Sequence, residues 1–105
     1  MNQLPTHPTL SDYQTLISGL VAQRGFDTET VPEVFTLLVE EIGELAKAIR
    51  KANGQKIGAH SKQHEVAEEA ADVFWLLIDL SNRLGIDLEQ AFRDKEIINH
   101  KREWK

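Results

Sequence analysis

Two acidic runs stand out in this chain. Glu40, Glu41 and Glu44 form an E-E-x-x-E run, and Glu65, Glu68, Glu69 and Asp72 follow in the next helix-period segment. At about 100° per residue, Glu41 lies at the edge of an apolar stripe, between Leu38 and Leu45. Glu44 lies next to it on the same flank, and Glu40 points further away while remaining a neighbour of Glu44. Glu65, Glu69 and Asp72 share one face at spacings of four and three. Leu76 continues that face, so Asp72 sits where it turns apolar. Like charges one turn apart cost about 0.2–0.5 kcal/mol per pair even on an exposed helix. Crowded into a groove between helices they cost more, unless a cation compensates. Hard carboxylate oxygens select Mg²⁺, Mn²⁺ or Ca²⁺, and Mg²⁺ characteristically shares its sites with waters and substrate phosphates. Either acidic run alone is an ordinary solvated face. Two such runs bordering apolar stripes that should pack together put a divalent metal site on an equal footing with the solvated face, and a phosphorylated substrate would suit such a metal.

The elements that must position these carboxylates are helical. Apolar residues Leu10, Tyr13, Leu16, Ile17, Leu20 and Val21 recur at spacings of three and four, predicting a first helix from about Leu10 to Gln23. Thr9 or Ser11 can cap it, and Gly25 ends it. A loop covers residues 25–30. The second helix is expected from about Val31 to Ala52, with Thr30 as its cap, Pro32 in its first turn and Phe35, Leu38, Ile42, Leu45 and Ile49 as its apolar stripe. Residues 53–61 read as a loop. The third helix runs from about Lys62 to Leu84 with Gly85 as its stop. The fourth starts after Asp87, where Asp87 and Gln90 resemble a capping box, and continues towards Trp104. No segment has a strand period. The fold class is all-α, a four-helix, bundle-like chain with short connections.

One stretch is too apolar for such a small bundle. Residues 73–80, VFWLLIDL, are hydrophobic almost all round, and such a helix must be covered on every side. Completion by oligomerisation, with the third helix near the interface, follows; a central core helix in a monomer is the alternative. Trp75 and Phe74 are read as core residues rather than base-stacking ones, given the apolar run around them.

Composition narrows the classes further. The 105 residues suggest one domain, with residues 1–9 as a flexible amino terminus. A formal charge of -5 argues against a nucleic-acid polymer as partner, which calls for a basic face. A bound cation can still reverse the local sign for a small phosphorylated ligand. The absence of cysteine excludes disulfides, thiolate zinc sites and a cysteine nucleophile. The amino terminus lacks an apolar signal core, and the run from Val73 to Ile78 is too short to span a bilayer. The expectation is a cytoplasmic protein with no membrane partner.

The segments VEEIGELAKAIRKANG and EVAEEAADVFWLLIDLSNRLGIDLEQAFRDKEIINHKREW resemble the MazG-like, all-alpha nucleoside triphosphate pyrophosphohydrolases. That family's E-E-x-x-E and E-x-x-D pattern is matched by Glu40, Glu41, Glu44, Glu69 and Asp72. Its K-x-x-x-N-x-x-R-x-W ending is matched by Lys95, Asn99, Arg102 and Trp104. The resemblance covers most of residues 10–105 as a single domain. It implies Mg²⁺-dependent (or Mn²⁺-dependent) hydrolysis of an NTP or dNTP to the nucleoside monophosphate and pyrophosphate. By motif position, Glu41, Glu44, Glu69 and Asp72 would hold the metal, and Glu40 would orient the attacking water or support the ligands. Lys47, Lys95 and Arg102 are candidate cations for the remaining phosphate charge, and Asn99 a candidate hydrogen-bonding group. Family members are commonly dimers or tetramers, so a homodimer or homotetramer is expected. A helical oligomerisation or nucleotide-binding module of the same fold, without catalysis, is the competing reading.

Overall fold

A computed structural model describes residues 4–54 and 59–102, with side chains for 4–54 and 65–102. Helix α1 spans Leu10–Gln23, a 3₁₀ turn spans Phe26–Thr28, α2 spans Val31–Gly54, α3 spans Ala59–Arg83 and α4 spans Leu88–His100. No strand occurs among the described residues. Two boundaries differ from expectation. Helix α2 continues past Ala52 through Asn53 and Gly54, and α3 begins at Ala59 rather than near Lys62. Asn and Gly are weak helix formers but lack proline's steric block, so they do not stop a helix that tertiary packing supports. Trp104 lies outside the described residues.

The ends of the helices are set by local chemistry. The Thr9 hydroxyl accepts from Asp12 N, and Asp12 Oδ2 accepts from Thr9 N, a reciprocal box. Thr30 and Glu33 repeat it at the start of α2. At α4 only half of the expected box forms. Asp87 Oδ1 accepts from Gln90 N at 3.1 Å, while the Gln90 side chain turns forward and donates to Asp94. At the end of α3, Gly85 has φ 69°. Its N–H donates to Asn82 O and that of Ile86 donates to Ser81 O, a Schellman closure that needs the left-handed residue.

Helix α3 is the axis of the molecule. Helix α2 packs along it most extensively, α1 packs beside α2's partner face, and α4 rests on α1. Ile17 and Val21 of α1 meet Ile78 of α3 in the core, flanked by Leu10, Phe74, Trp75 and Leu88. Tyr13 sits edge-on to Phe74, with ring centroids 5.1 Å apart. On α2 the buried positions are Val34, Leu38 and Ala48. Leu38 is the one expected stripe residue among them; Phe35, Ile42 and Ile49 are exposed. The apolar surface of α2 is wide enough for two faces, and α3 takes only the one that Val34, Leu38 and Ala48 share. Within residues 73–80 only Ile78 and Asp79 are buried and five others are half-buried, so the chain by itself covers this stretch incompletely. Ile78 is fully buried, and Leu77 is the large hydrophobic of that run left exposed. The radius of gyration is 16.5 Å, against about 13 Å for a compact 100-residue domain. The helices therefore form an open arrangement, with α4 laid on α1 rather than closed over α2 and α3.

Candidate functional site

On α3, Asp72 and Leu76 follow Glu69 at spacings of three and four and stand beside Glu41 of α2, with Trp75 next to them. On α2, Glu41 falls among the buried positions Val34, Leu38 and Ala48, so the helix turns this carboxylate inward along with its core face. The result is a junction where Glu41, Glu69 and Asp72 each offer an oxygen, all within 4.8 Å of one another. Glu41 and Glu69 are half-buried and Asp72 is exposed.

The electrostatics of this group are unfavourable by themselves. The Glu69 carboxyl is held above its ordinary pKa, first by a hydrogen bond shared with Glu41. Such a bond requires one of the two acids to keep its proton. Burial and the neighbouring charges of Glu41, Asp72 and Glu44 push in the same direction. Glu69 Oε2 is shut off from solvent and has no hydrogen-bond partner. An enclosed carboxylate oxygen without a hydrogen-bond partner among the described residues lacks a positive or donating group. A divalent cation fits that need. Oxygens bound to one Mg²⁺ lie at most about 4.2 Å apart and those on Ca²⁺ somewhat further, within a small side-chain rotation of the observed spacing. The residues present are thus suited to a hard metal ion.

Of the other acidic residues, Glu44 is exposed and lies outside this three-residue group, although its charge is felt at Glu69. Glu40 and Glu65 are exposed on α2 and α3. Lys47 is exposed on α2 and borders a shallow groove with Gly43, Ala46 and Arg50. Lys95 is exposed on α4, Asn99 Nδ2 donates to Glu96 Oε1 at 3.0 Å, and Arg102 follows the last turn of α4. Helix α4 packs on α1, and none of these three lines the cleft beside the acids.

A cleft of about 270 Å³ opens beside the acids, lined by Arg24, Phe26, Glu41, Asp72, Trp75 and Leu76. The Arg24 guanidinium stands 6.0 Å from the centre of the Trp75 ring. Neither Arg24 nor Phe26 stands out in the sequence, because both lie in the turn between α1 and α2, away from any acidic motif. Their one signal is the R-G-F step itself. Gly25 has φ 75°, which turns the chain sharply enough to put both neighbours on the cleft.

Residues 22–102 match the MazG nucleotide pyrophosphohydrolase domain. The chain belongs to this family. The match begins at Ala22, so it takes in the Arg24–Phe26 turn as well as the acidic runs. This MazG domain is 35% identical over 96 residues to a dATP/dGTP diphosphohydrolase of Salmonella phage PMBT28, covering 91% of the chain and 28% of that protein. It is 31% identical over 100 residues to dCTP pyrophosphatase 1 of Mus musculus, covering 90% of the chain and 59% of that protein. It is also 31% identical over 84 residues to the uncharacterized protein YpjD of Bacillus subtilis (strain 168), covering 79% of the chain and 76% of that protein. The chain thus spans little more than a quarter of the phage protein and about three fifths of the mouse one.

Proposed function

We propose that this MazG domain is a Mg²⁺-dependent nucleotide pyrophosphohydrolase, cleaving an NTP or dNTP to the monophosphate and pyrophosphate. The observation that carries the reading is the convergence of Glu41, Glu69 and Asp72 beside a cleft that also offers a cation and two aromatic rings. The relatives named dATP/dGTP diphosphohydrolase and dCTP pyrophosphatase support the substrate class.

The chemistry divides among the chain's own residues. Glu41, Glu69 and Asp72, with Glu44 at their border, would hold Mg²⁺, which would supply charge neutralisation at the phosphate oxygens; Mn²⁺ has the same preference for oxygen donors. Glu40, at the rim, orients a water and takes its proton as the water oxygen attacks the α-phosphorus. The bond from that phosphorus to the bridging oxygen breaks, and pyrophosphate leaves. Arg24 projects a guanidinium into the cleft, suited to phosphate oxygens, while Phe26 and Trp75 offer faces for a base. Lys47 follows Glu44 by three residues on α2 and is a further candidate cation for phosphate. Lys95, Asn99 and Arg102 reach a substrate only if α4 meets the site of another copy.

A homodimer or homotetramer is part of this reading. Phe35, Val39, Ile42 and Ile49 leave a continuous apolar face of α2 exposed, and α4 exposes Phe92, Ile97 and Ile98. Faces of this kind mark association surfaces. Replacing Ile42 and Phe35 with Ser should shift sedimentation towards monomer without unfolding α2. No helix among the described residues is long and apolar enough to cross a membrane, in keeping with the cytoplasmic location proposed here.

The deciding experiment is a screen of nucleoside triphosphates with Mg²⁺ and with Mn²⁺, resolving the products. Equal yields of monophosphate and pyrophosphate are expected. Stepwise release of orthophosphate, or no release from any nucleotide, overturns the assignment.

A further inference from the structure

On the far side of the 3₁₀ turn from the cleft, α3 buries a charged pair with no part in the chemistry above. Asp79 is 3% exposed, and its Oδ1 accepts from Arg83 Nε at 2.9 Å. The rest of the guanidinium is turned towards the turn between α1 and α2. It donates to the carbonyl oxygen of Glu29 and, at 2.8 Å, to that of Phe26, with the Glu29 carboxylate 4.0 Å away. One side chain therefore grips both ends of the Phe26–Glu29 segment by its backbone, and Asp79 holds that side chain from behind. The segment itself has few other anchors. Phe26 is exposed, no side chain caps the turn, and Glu29 N–H donates to Phe26 O. Its opposite surface is the cleft wall, where Phe26 and the neighbouring Arg24 stand against Glu41 and Asp72.

We propose that Arg83, locked by Asp79, is a positioning residue that fixes the cleft wall and so sets where Arg24 and Phe26 meet the nucleotide. This rests on the nucleotide-cleft reading above. Arginine is required by geometry, because its planar fork can satisfy Asp79 and two carbonyls at once, while lysine offers one compact ammonium. Asp79 supplies the charge that makes burial of the guanidinium tolerable. The arrangement acts on substrate binding and leaves the metal ligands untouched, since Glu69 and Asp72 sit two or more turns away along α3.

The test uses the full chain with Arg83→Lys, which keeps the charge opposite Asp79, and Arg83→Gln as a second variant. Arg83→Lys is expected to raise KM for the preferred nucleotide about tenfold or more while kcat falls less than threefold. Mn²⁺ affinity in the absence of nucleotide should stay at the wild-type value. Amide exchange should quicken at residues 25–30 and not along α2 or α3. Asp79→Asn keeps an acceptor oxygen, so its KM should rise less than that of Arg83→Gln. An unchanged KM in Arg83→Lys, or exchange that quickens equally throughout the helices, overturns the proposal while leaving the catalytic reading intact. If the wild-type chain releases no pyrophosphate, the catalytic reading fails alone, and calorimetric nucleotide affinity replaces KM. A tenfold weakening by Arg83→Lys then supports the positioning role, and a wild-type chain that binds no nucleotide overturns both.

Discussion

Helix α3 presents two acidic centres to its neighbours, and they are built on opposite terms. Towards its carboxyl end, Asp79 is buried and paired with Arg83, which is itself bonded to two backbone carbonyls. Two turns earlier, Glu69 and Asp72 meet Glu41, and one enclosed oxygen of Glu69 has no hydrogen-bond partner among the described residues. The first centre is complete within the chain, and its polar groups hold the fold. The second, in the function proposed above, awaits a cation from outside. A small protein tolerates such a deficit where an incoming ligand removes it, because strain and unsatisfied polarity concentrate at functional sites.

Breaking the satisfied centre should have the largest effect. Asp79→Ala leaves the guanidinium with only the more distant Glu29 carboxylate as counter-ion, and stability should fall by about 3 kcal/mol in urea denaturation. The deficient centre should respond in the opposite sense. Glu41→Gln or Asp72→Asn removes a charge from a repulsive group, so the metal-free protein should melt no lower than wild type. Pyrophosphate release should nevertheless drop about 100-fold or more, as expected for loss of a metal ligand. If both centres lost stability alike, the contrast between them would be broken.

Acidity sharpens the same contrast. Glu69 has its pKa raised above the ordinary carboxylate value, chiefly by the hydrogen bond with Glu41 and then by burial. A carboxyl raised in the folded state contributes stability that is full below its unfolded pKa and lost as pH rises through the raised value. In metal-free protein, Glu69 therefore favours the fold at low pH and opposes it near neutrality. Added Mg²⁺ must displace the proton, so its gain in melting temperature should be greatest near pH 7 and vanish as pH falls through the raised pKa. Glu69→Gln should flatten that dependence. Glu33 is the counter-case: its pKa is lowered by the backbone and side-chain hydrogen bonds of Thr30. Its contribution is present above 4.5 and disappears as pH falls through the lowered value. The smallest effect is expected from Thr30→Ala, about 1 kcal/mol by loss of the cap, with activity unchanged.

The helices were readable because periodicity and caps are local. Thr9, Thr30, Gly25 and Gly85 mark ends that the structure keeps, while Asn53 and Gly54, which read as loop, are carried by α2. The carboxylates Glu41, Glu69 and Asp72 were readable for the same reason, each lying on a helical face next to apolar positions. The choice between two apolar faces of α2 was not, since Phe35 and Val34 are equally hydrophobic and only contact with α3 separates them. Arg24, Phe26 and Arg83 were illegible for a related reason. Their roles depend on a turn and a helix end, more than fifty residues apart in the chain, coming together.

Gln14 makes the same kind of long-distance connection, with consequences for how the molecule assembles. Its amide donates to Asn82 Oδ1 and to Ile86 O, both at 2.8 Å, and accepts from Leu88 N at 3.1 Å. One side chain near the amino terminus thus closes the turn that launches α4. These bonds span most of the polypeptide, and loops of that length close late and slowly. A nascent chain holding α1 through α3 would have no Leu88 amide for Gln14 to accept from. Helix α4 is therefore expected to dock in the same cooperative step that seats α1.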